Sequence, residues 1–192
     1  MRCHWVDEKN ELYVKYHDEE WGVPIYDDKK LFEMLMLESF QAGLSWLTVL
    51  KKRSAFRTAY DDFDFTKIAA YNENKVAQLL KNPAIIRSRS KINATVNNAR
   101  IFLKIRQQFG SFSAYIWQFT NGKTVSYHKF PCPAENELSQ KISVDLRKRG
   151  MKYVGSIIIY SYLQAVGIID DHEPQCYRFS ADTQKNLQLP KK

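Results

Sequence analysis

A carboxylate lies inside a strongly apolar, helix-like stretch of this chain. Leu31-Phe32-Glu33-Met34-Leu35-Met36 runs straight into LESFQAGLSW, Leu37 to Trp46. Glu38 therefore has Phe40, Leu44 and Trp46 for neighbours. An acid in such surroundings is paired, protonated or waiting for a ligand. Upstream the chain supplies Trp5, Tyr13, Tyr16 and Trp21. One acid with several flat aromatic faces suits a flat, electron-poor, hydrogen-bonding ligand. A nucleobase fits that description, and an alkylated, cationic base fits it best.

The rest of the composition narrows the setting. At 192 residues with 44% hydrophobic side chains, the chain can bury a real core as one domain. Lys and Arg outnumber Asp and Glu by 29 to 21, a formal charge of +8 that draws polyanions such as nucleic acid. Many proteins carry such a charge without binding nucleic acid, so it decides little alone. Three cysteines, an odd number, do not read as a secreted disulfide framework. No apolar run approaches the roughly 20 residues that span a bilayer, and MRCHWVDEKN is too polar for a signal peptide. The expectation is a soluble, cytoplasmic protein with no membrane contact.

Helical periodicity dominates, and the fold class expected is all-α. Asp27 and Asp28 can cap a helix over about 29–42, and Ser45 the next, toward Tyr60. Asp64 or Thr66 opens a short helix, and Asn72 another that stops before Pro83. A long amphipathic helix spans Ser88 to Gln108, with Ile92, Val96, Ala99 and Leu103 on one face and Gly110 as its end. Ser111 or Ser113 opens a segment with Tyr115, Ile116, Trp117 and Phe119. Residues 120–136 read as a loop with room for a short hairpin, and helix resumes from about Asn136 to Arg149 and from Ser156 to Ala165 or Val166. No linker divides the chain, so 1–180 is expected as a single domain, with 181–192 a flexible polar tail.

Two further constellations stand out. LRKRGMKYVGSIIIYSYLQAVG, Leu146 to Gly167, orders a basic helix end, a glycine-bounded turn and an apolar helix, within a helix-hairpin-helix element over about 137–167. Gly150 and Gly155 let backbone approach a phosphate, the second helix offers free N–H groups, and Arg149 and Lys152 add charge. Such contacts position DNA without reading sequence. Taken alone, the pattern is slightly better explained by an ordinary helix pair with Gly150 as C-cap and a basic last turn favoured by the helix dipole. The other constellation is Cys3 and His17 near the start with His172 and Cys176 near the finish. His-x3-Cys would set two ligands on one side of a helical turn, and two Cys with two His form a zinc set. His4, His128 and Cys132 are rival ligands, and four unrelated buried residues are the plainer alternative.

At this point Tyr13 to Trp21, YVKYHDEEW, continuing through Gly22-Val23-Pro24, and LESFQAGLSW resemble signatures of the bacterial 3-methyladenine DNA glycosylase I family. So do Ile85-Ile86-Arg87, Lys148-Arg149-Gly150, Tyr153-Val154-Gly155, and His172 with Cys176. The resemblance covers about residues 2–178. It implies an all-α member of the helix-hairpin-helix glycosylase superfamily, whose N- and C-terminal segments are joined by a structural zinc, Zn(2+), on Cys3, His17, His172 and Cys176. It implies a base pocket with Glu38 and Tyr16 as polar contacts and Trp46 as a stacking face, lined by Tyr13, Trp21, Trp5 and Ser161. Gly43 and Leu44 fall where the family inserts a plug into the duplex. The implied activity is monofunctional: flipping N3-methyladenine out of alkylated double-stranded DNA, hydrolysing its N-glycosidic bond with Glu38 as the catalytic carboxylate that favours the charged base, and releasing free 3-methyladenine. A monomer associated with the bacterial nucleoid follows from that role. Superfamily relatives use an Asp near the end of the hairpin region; Asp170 and Asp171 stand close, and support of a zinc ligand is the favoured reading for them.

Two other classes stay open on the residues themselves. A DNA-binding module that has lost excision would keep the hairpin and release no base. A zinc-stabilised interaction protein would have a filled aromatic core, a paired Glu38 and no cavity.

Overall fold

Ten consecutive residues, Leu31 to Phe40, are buried, which makes the helix bearing Glu38 the axis of the molecule. A helix apolar on nearly every side must be enclosed by others. The computed structural model describes residues 1–127 and 129–179; His128 and the expected tail 181–192 lie outside them. Among the described residues it is all-helical, with one isolated parallel bridge between Val125 and Ile169.

The helices are α1 (Glu11–Glu19), α2 (Asp28–Gln41), α3 (Trp46–Ala59), α4 (Phe65–Ala69), α5 (Glu73–Lys81), α6 (Arg89–Phe109), α7 (Phe112–Trp117), α8 (Glu137–Lys148) and α9 (Ser156–Ala165). Single 3-10 turns lie at Asp61–Phe63 and Gln118–Thr120. Around α2 pack α3, α6, α7 and α9, while α4 lies along α6 and α8 against α9.

Polar caps explain most of the boundaries. Asp27, Ser45, Asp64, Asn72 and Ser111 each accept a backbone N–H of the first turn they precede. Asn136 and Ser139 form a reciprocal capping box on α8. Asp28 does more than start its own helix. Its carboxylate accepts the N–H groups of Phe112 at 3.0 Å and Ser113 at 2.8 Å and pairs with Arg106, tying α2 to α6 and α7.

Four details differ from the sequence expectation. The helix α1, capped by Asn10, is absent from it; its nine residues bury only Tyr16 and His17, a stripe too short to stand out as a helical repeat. On α6 the buried face passes through Ile101, Phe102 and Ile105, and Leu103 is only partly buried, since α4 and α7 both press on that side. No hairpin forms among the described residues of 120–136; Val125 pairs with the chain returning at Ile169 instead. His172 and Cys176 lie in an irregular turn rather than a helical one, closed by the Cys176 N–H on the Glu173 C=O at 2.8 Å.

Candidate active site

Helices α1, α2, α3 and α9 converge on a cavity of about 380 Å³. Glu38, Tyr16, Trp46, Tyr13, Trp21, Trp5 and Ser161 all line it. Tyr13 and Tyr16 sit three residues apart on α1 and share a face. The Trp5 ring meets Tyr13 edge-on at 5.7 Å and Trp21 at 5.2 Å, and Trp46 lies 5.3 Å from Tyr16. The walls therefore brace one another and keep open faces toward the space between them.

Glu38 is 4% exposed. Among the described residues no side chain hydrogen-bonds its carboxyl, and burial raises its pKa to about 8. Burial, with the Glu38 charge beside it, also pushes the Tyr16 phenol well above its ordinary value. Near neutral pH the cavity thus holds a largely protonated acid and a neutral phenol, both able to donate or accept a hydrogen bond.

The cavity has walls that the sequence reading passed over. Gln41 lies one turn beyond Glu38, and Ile157, Tyr160 and Gln164 share with the expected Ser161 one face of α9 at helical spacing. That periodicity was the available signal. Asp171 also reaches the cavity and accepts from the Tyr160 hydroxyl at 2.5 Å and Gln164 Nε2 at 2.8 Å.

On the adjoining surface, Gly43 has φ +80° and open space around it, and Leu44 beyond it is 39% exposed. Further round, α8 turns into α9 through residues 149–155. The carbonyls of this turn are drawn inward: Gly150 to Asn97 at 2.9 Å, Lys152 to Asn98 at 2.8 Å, Tyr153 to Ser39 at 3.0 Å and Val154 to Ser143 at 2.7 Å. No side chain caps the start of α9 after Gly155, so its first N–H groups remain available to an anion. Lys152 is exposed, as are Arg147 and Lys148. Arg149 is engaged within the chain, donating to Asp145 and Gln108 at 2.7 Å each and lying over Phe109 and Tyr115.

Behind the aromatic walls the two ends of the chain meet. One donor atom each from Cys3, His17 and Cys176 falls within 4.8 Å of the others, all buried, a grouping able to hold a metal ion. His172 stands beside them, its ring 5.3 Å from that of His17, with a buried Nε2 that has no hydrogen-bond partner. Asp18 holds the His17 Nδ1 at 2.8 Å and Asp170 holds the His172 Nδ1 at 2.6 Å. Carboxylates placed so on both imidazoles leave each Nε2 for a metal. Burial lowers the His17 pKa toward the neutral imidazole a ligand requires. Gly22, at φ +76°, leaves room for His172, whose Cε1 would lie 2.6 Å from any added Cβ. The rivals fare differently: His4 is exposed and pairs with Glu173, and Cys132 is exposed near the Asp171 carbonyl.

Fold and cavity together define a protein that is all-helical among the described residues and built around an open aromatic cleft that holds one unpaired acid, Glu38. A family model for methyladenine glycosylase matches residues 5–179. The DNA-3-methyladenine glycosylase 1 of Escherichia coli (strain K12) is 45% identical over 178 residues, covering 91% of this chain and 95% of that protein. A crystal structure of a 3-methyladenine DNA glycosylase I superposes with a TM-score of 0.89 at 44% identity, covering 94% of this chain and all of that one. A 3-methyladenine DNA glycosylase I from Staphylococcus aureus, solved to explain 3-methyladenine recognition, superposes at 0.85 with 39% identity, covering 88% of this chain and 92% of that one. The chain belongs to the methyladenine glycosylase family.

Proposed function

We propose that this chain is a monofunctional base-excision glycosylase that turns N3-methyladenine out of duplex DNA, holds it in the aromatic cavity and hydrolyses its bond to deoxyribose. The observation that carries the reading is Glu38, an acid buried without a protein partner and facing the aromatic walls. Isolated buried acids are costly, and a cationic ligand turns that cost into recognition. Methylation at N3 gives adenine a positive charge and makes it a good leaving group. The rings of Trp46, Trp5 and Tyr13 then offer π faces to the cation, with Glu38 and Tyr16 as its polar contacts. Water adds to the sugar carbon, the electron pair of the broken bond neutralises the departing base, and the water's proton leaves to solvent. Glu38 favours the charged base electrostatically. Unmodified adenine lacks both the charge and the leaving-group quality, so binding and reactivity discriminate together. Among the described residues no lysine lines the cavity, which supports hydrolysis without a Schiff base.

The test is single-turnover release from methylated duplex DNA with unmodified duplex as control. Release of 3-methyladenine from the methylated strand alone is expected. Duplex binding without release would mark a binding module, and neither binding nor release an interaction protein.

In this reading Leu44 fills the gap left by the extruded base, and the turn 149–155, with the start of α9, grips backbone phosphates in helix-hairpin-helix fashion. Arg149, held by Asp145 and Gln108, acts as a brace, and Lys152 and Arg147 carry the phosphate charge. Replacing Lys152 and Arg147 together by Ala should weaken binding to all duplex sequences about equally and lower the salt slope by about two, one per lost contact. Sequence-dependent loss would show instead that this turn reads bases.

Cys3, His17, His172 and Cys176 would hold a structural zinc; a set of four protein ligands leaves no open position for chemistry. Residues 1–180 are read as one domain acting as a monomer, with 181–192 a tail. Among the described residues no helix is long and apolar enough to cross a membrane, which accords with a cytoplasmic, nucleoid-associated enzyme.

A further inference from the structure

The turn that presents Gly43 and Leu44 is held from outside the cavity. Lys91, in the first turn of α6, is half-buried, and its ammonium donates to the carbonyls of Phe40 at 2.9 Å and Ala42 at 2.7 Å. These belong to the last carbonyls of α2, which a helix cannot satisfy by itself. A cation there also suits the negative end of the helix dipole. Beyond them the chain closes at once: the Leu44 N–H donates to the Gln41 carbonyl at 2.7 Å, and Gln41 Nε2 donates to the Leu44 carbonyl at 3.0 Å. Whatever fixes Phe40 and Ala42 therefore fixes where Leu44 points.

The same ammonium lies 5.8 Å from the ring centroid of Tyr153, in the turn between α8 and α9. The Tyr153 hydroxyl donates to Ser90 at 2.9 Å, beside Lys91, and the Tyr153 carbonyl accepts from Ser39, beside Glu38. Lys91 thus stands where the end of α2, the start of α6 and the phosphate-facing turn meet. Its charge is directed at carbonyls and a ring within the chain.

We propose that Lys91 is a positioning residue that holds the Leu44 turn in register with the turn between α8 and α9, so that insertion into the duplex and grip on its backbone occur together. The inference rests on the glycosylase reading. It separates two things a cavity-wall residue would change together, namely affinity for the free base and productive engagement of the duplex.

Lys91→Met keeps the aliphatic stem and removes the donors; Lys91→Gln is measured beside it, both corrected for folded fraction. Single-turnover release of 3-methyladenine from methylated duplex should slow by roughly tenfold to a hundredfold, the scale of a small misplacement. Affinity for free 3-methyladenine, read by tryptophan fluorescence, should stay within about twofold, and the salt slope of duplex binding should not change, because no phosphate contact is lost. Release at the parental rate would overturn the inference. So would a salt slope lower by about one, which marks a direct phosphate contact, an equal fall in free-base affinity and release, or failure of both variants to fold, which reduce Lys91 to a structural prop. Absence of release by the parent chain would overturn the glycosylase reading and this inference with it, whereas a parental rate in the Lys91 variants overturns the inference alone.

Discussion

Glu38→Gln is expected to melt higher than the parent chain near neutral pH and to release N3-methylated adenine roughly a hundredfold more slowly, the usual scale for losing one preorganised electrostatic partner. Both effects have one origin. In the fold the carboxyl holds its proton until about pH 8, against an ordinary value of 4.5. Between those two values the unfolded chain gives up a proton that the folded chain keeps. Stability from this group is therefore fully present below about 4.5, falls as pH rises toward 8, and is level above. Gln has the same shape and no charge to bury. At pH 7.5 the shift corresponds to a gain of at most roughly 4 kcal/mol, or about 8–16 °C in a chain of this size. The gain should vanish as pH approaches 4.5. Binding of a cationic base favours the ionised acid, so release at limiting DNA should rise with pH below 8 by at most tenfold per unit, a slope absent from the Gln variant. Thermal melts and single-turnover release across that range decide it. A Gln variant that melts lower and works normally would make Glu38 a structural acid.

Glu38 was legible in the sequence because burial and charge conflict locally. An apolar helix can be read from its own residues, and a carboxylate inside it announces itself. The caps Asp27, Ser45 and Asn72 were legible for the same reason, since their side chains bond to backbone three residues away. The aromatic walls were recognised as a set, but their convergence was not a local property: Trp5 precedes α1, Trp46 opens α3 and Ser161 belongs to α9.

What the sequence withheld lies in contacts between distant elements. Arg149 follows a basic helix end, and what no local pattern shows is that Asp145 one turn before it and Gln108 on α6 take two of its donors, Nε and Nη1. Lys91 carries no local signal of its contacts, since only the approach of α2 gives it two carbonyls to hold. Asn97 and Asn98 carry no local signal either. Asn98 is fully buried, and its amide both donates to the Lys152 carbonyl and accepts the Lys152 N–H, each at 2.8 Å. A buried amide matched to one backbone position is inexpensive only with that partner in place, and no spacing rule names the partner.

Loss of the proposed zinc should be strongly destabilising. Purified without added chelator, the chain is expected to carry about one zinc, by the closed four-ligand logic of structural sites. Cys3 and Cys176 are both buried and bring the two ends of the described chain together. A metal there acts as a cross-link over a very long loop, and the entropy of closing such a loop corresponds to roughly 4 kcal/mol. Cys176→Ala, or exhaustive chelation, should therefore lower the melting temperature by roughly 8–16 °C. The cavity feels the change less directly, because its polar contacts Glu38 and Tyr16 are not ligands. It does share a wall with the site: the ring of His172 meets Trp21 edge-on at 4.7 Å, and Trp5 lies 5.5 Å from His17. Free 3-methyladenine should still bind to the folded fraction of Cys176→Ala at low temperature, more weakly but measurably. Elemental analysis, thermal melts and base binding on the same preparations separate the outcomes. A chain without zinc and with undiminished stability would leave Cys3, His17, His172 and Cys176 as ordinary buried side chains, and the junction of the two ends would then rest on contacts such as the Tyr177 N–H to the Met1 carbonyl at 3.0 Å and the pairing of Arg2 with Asp18.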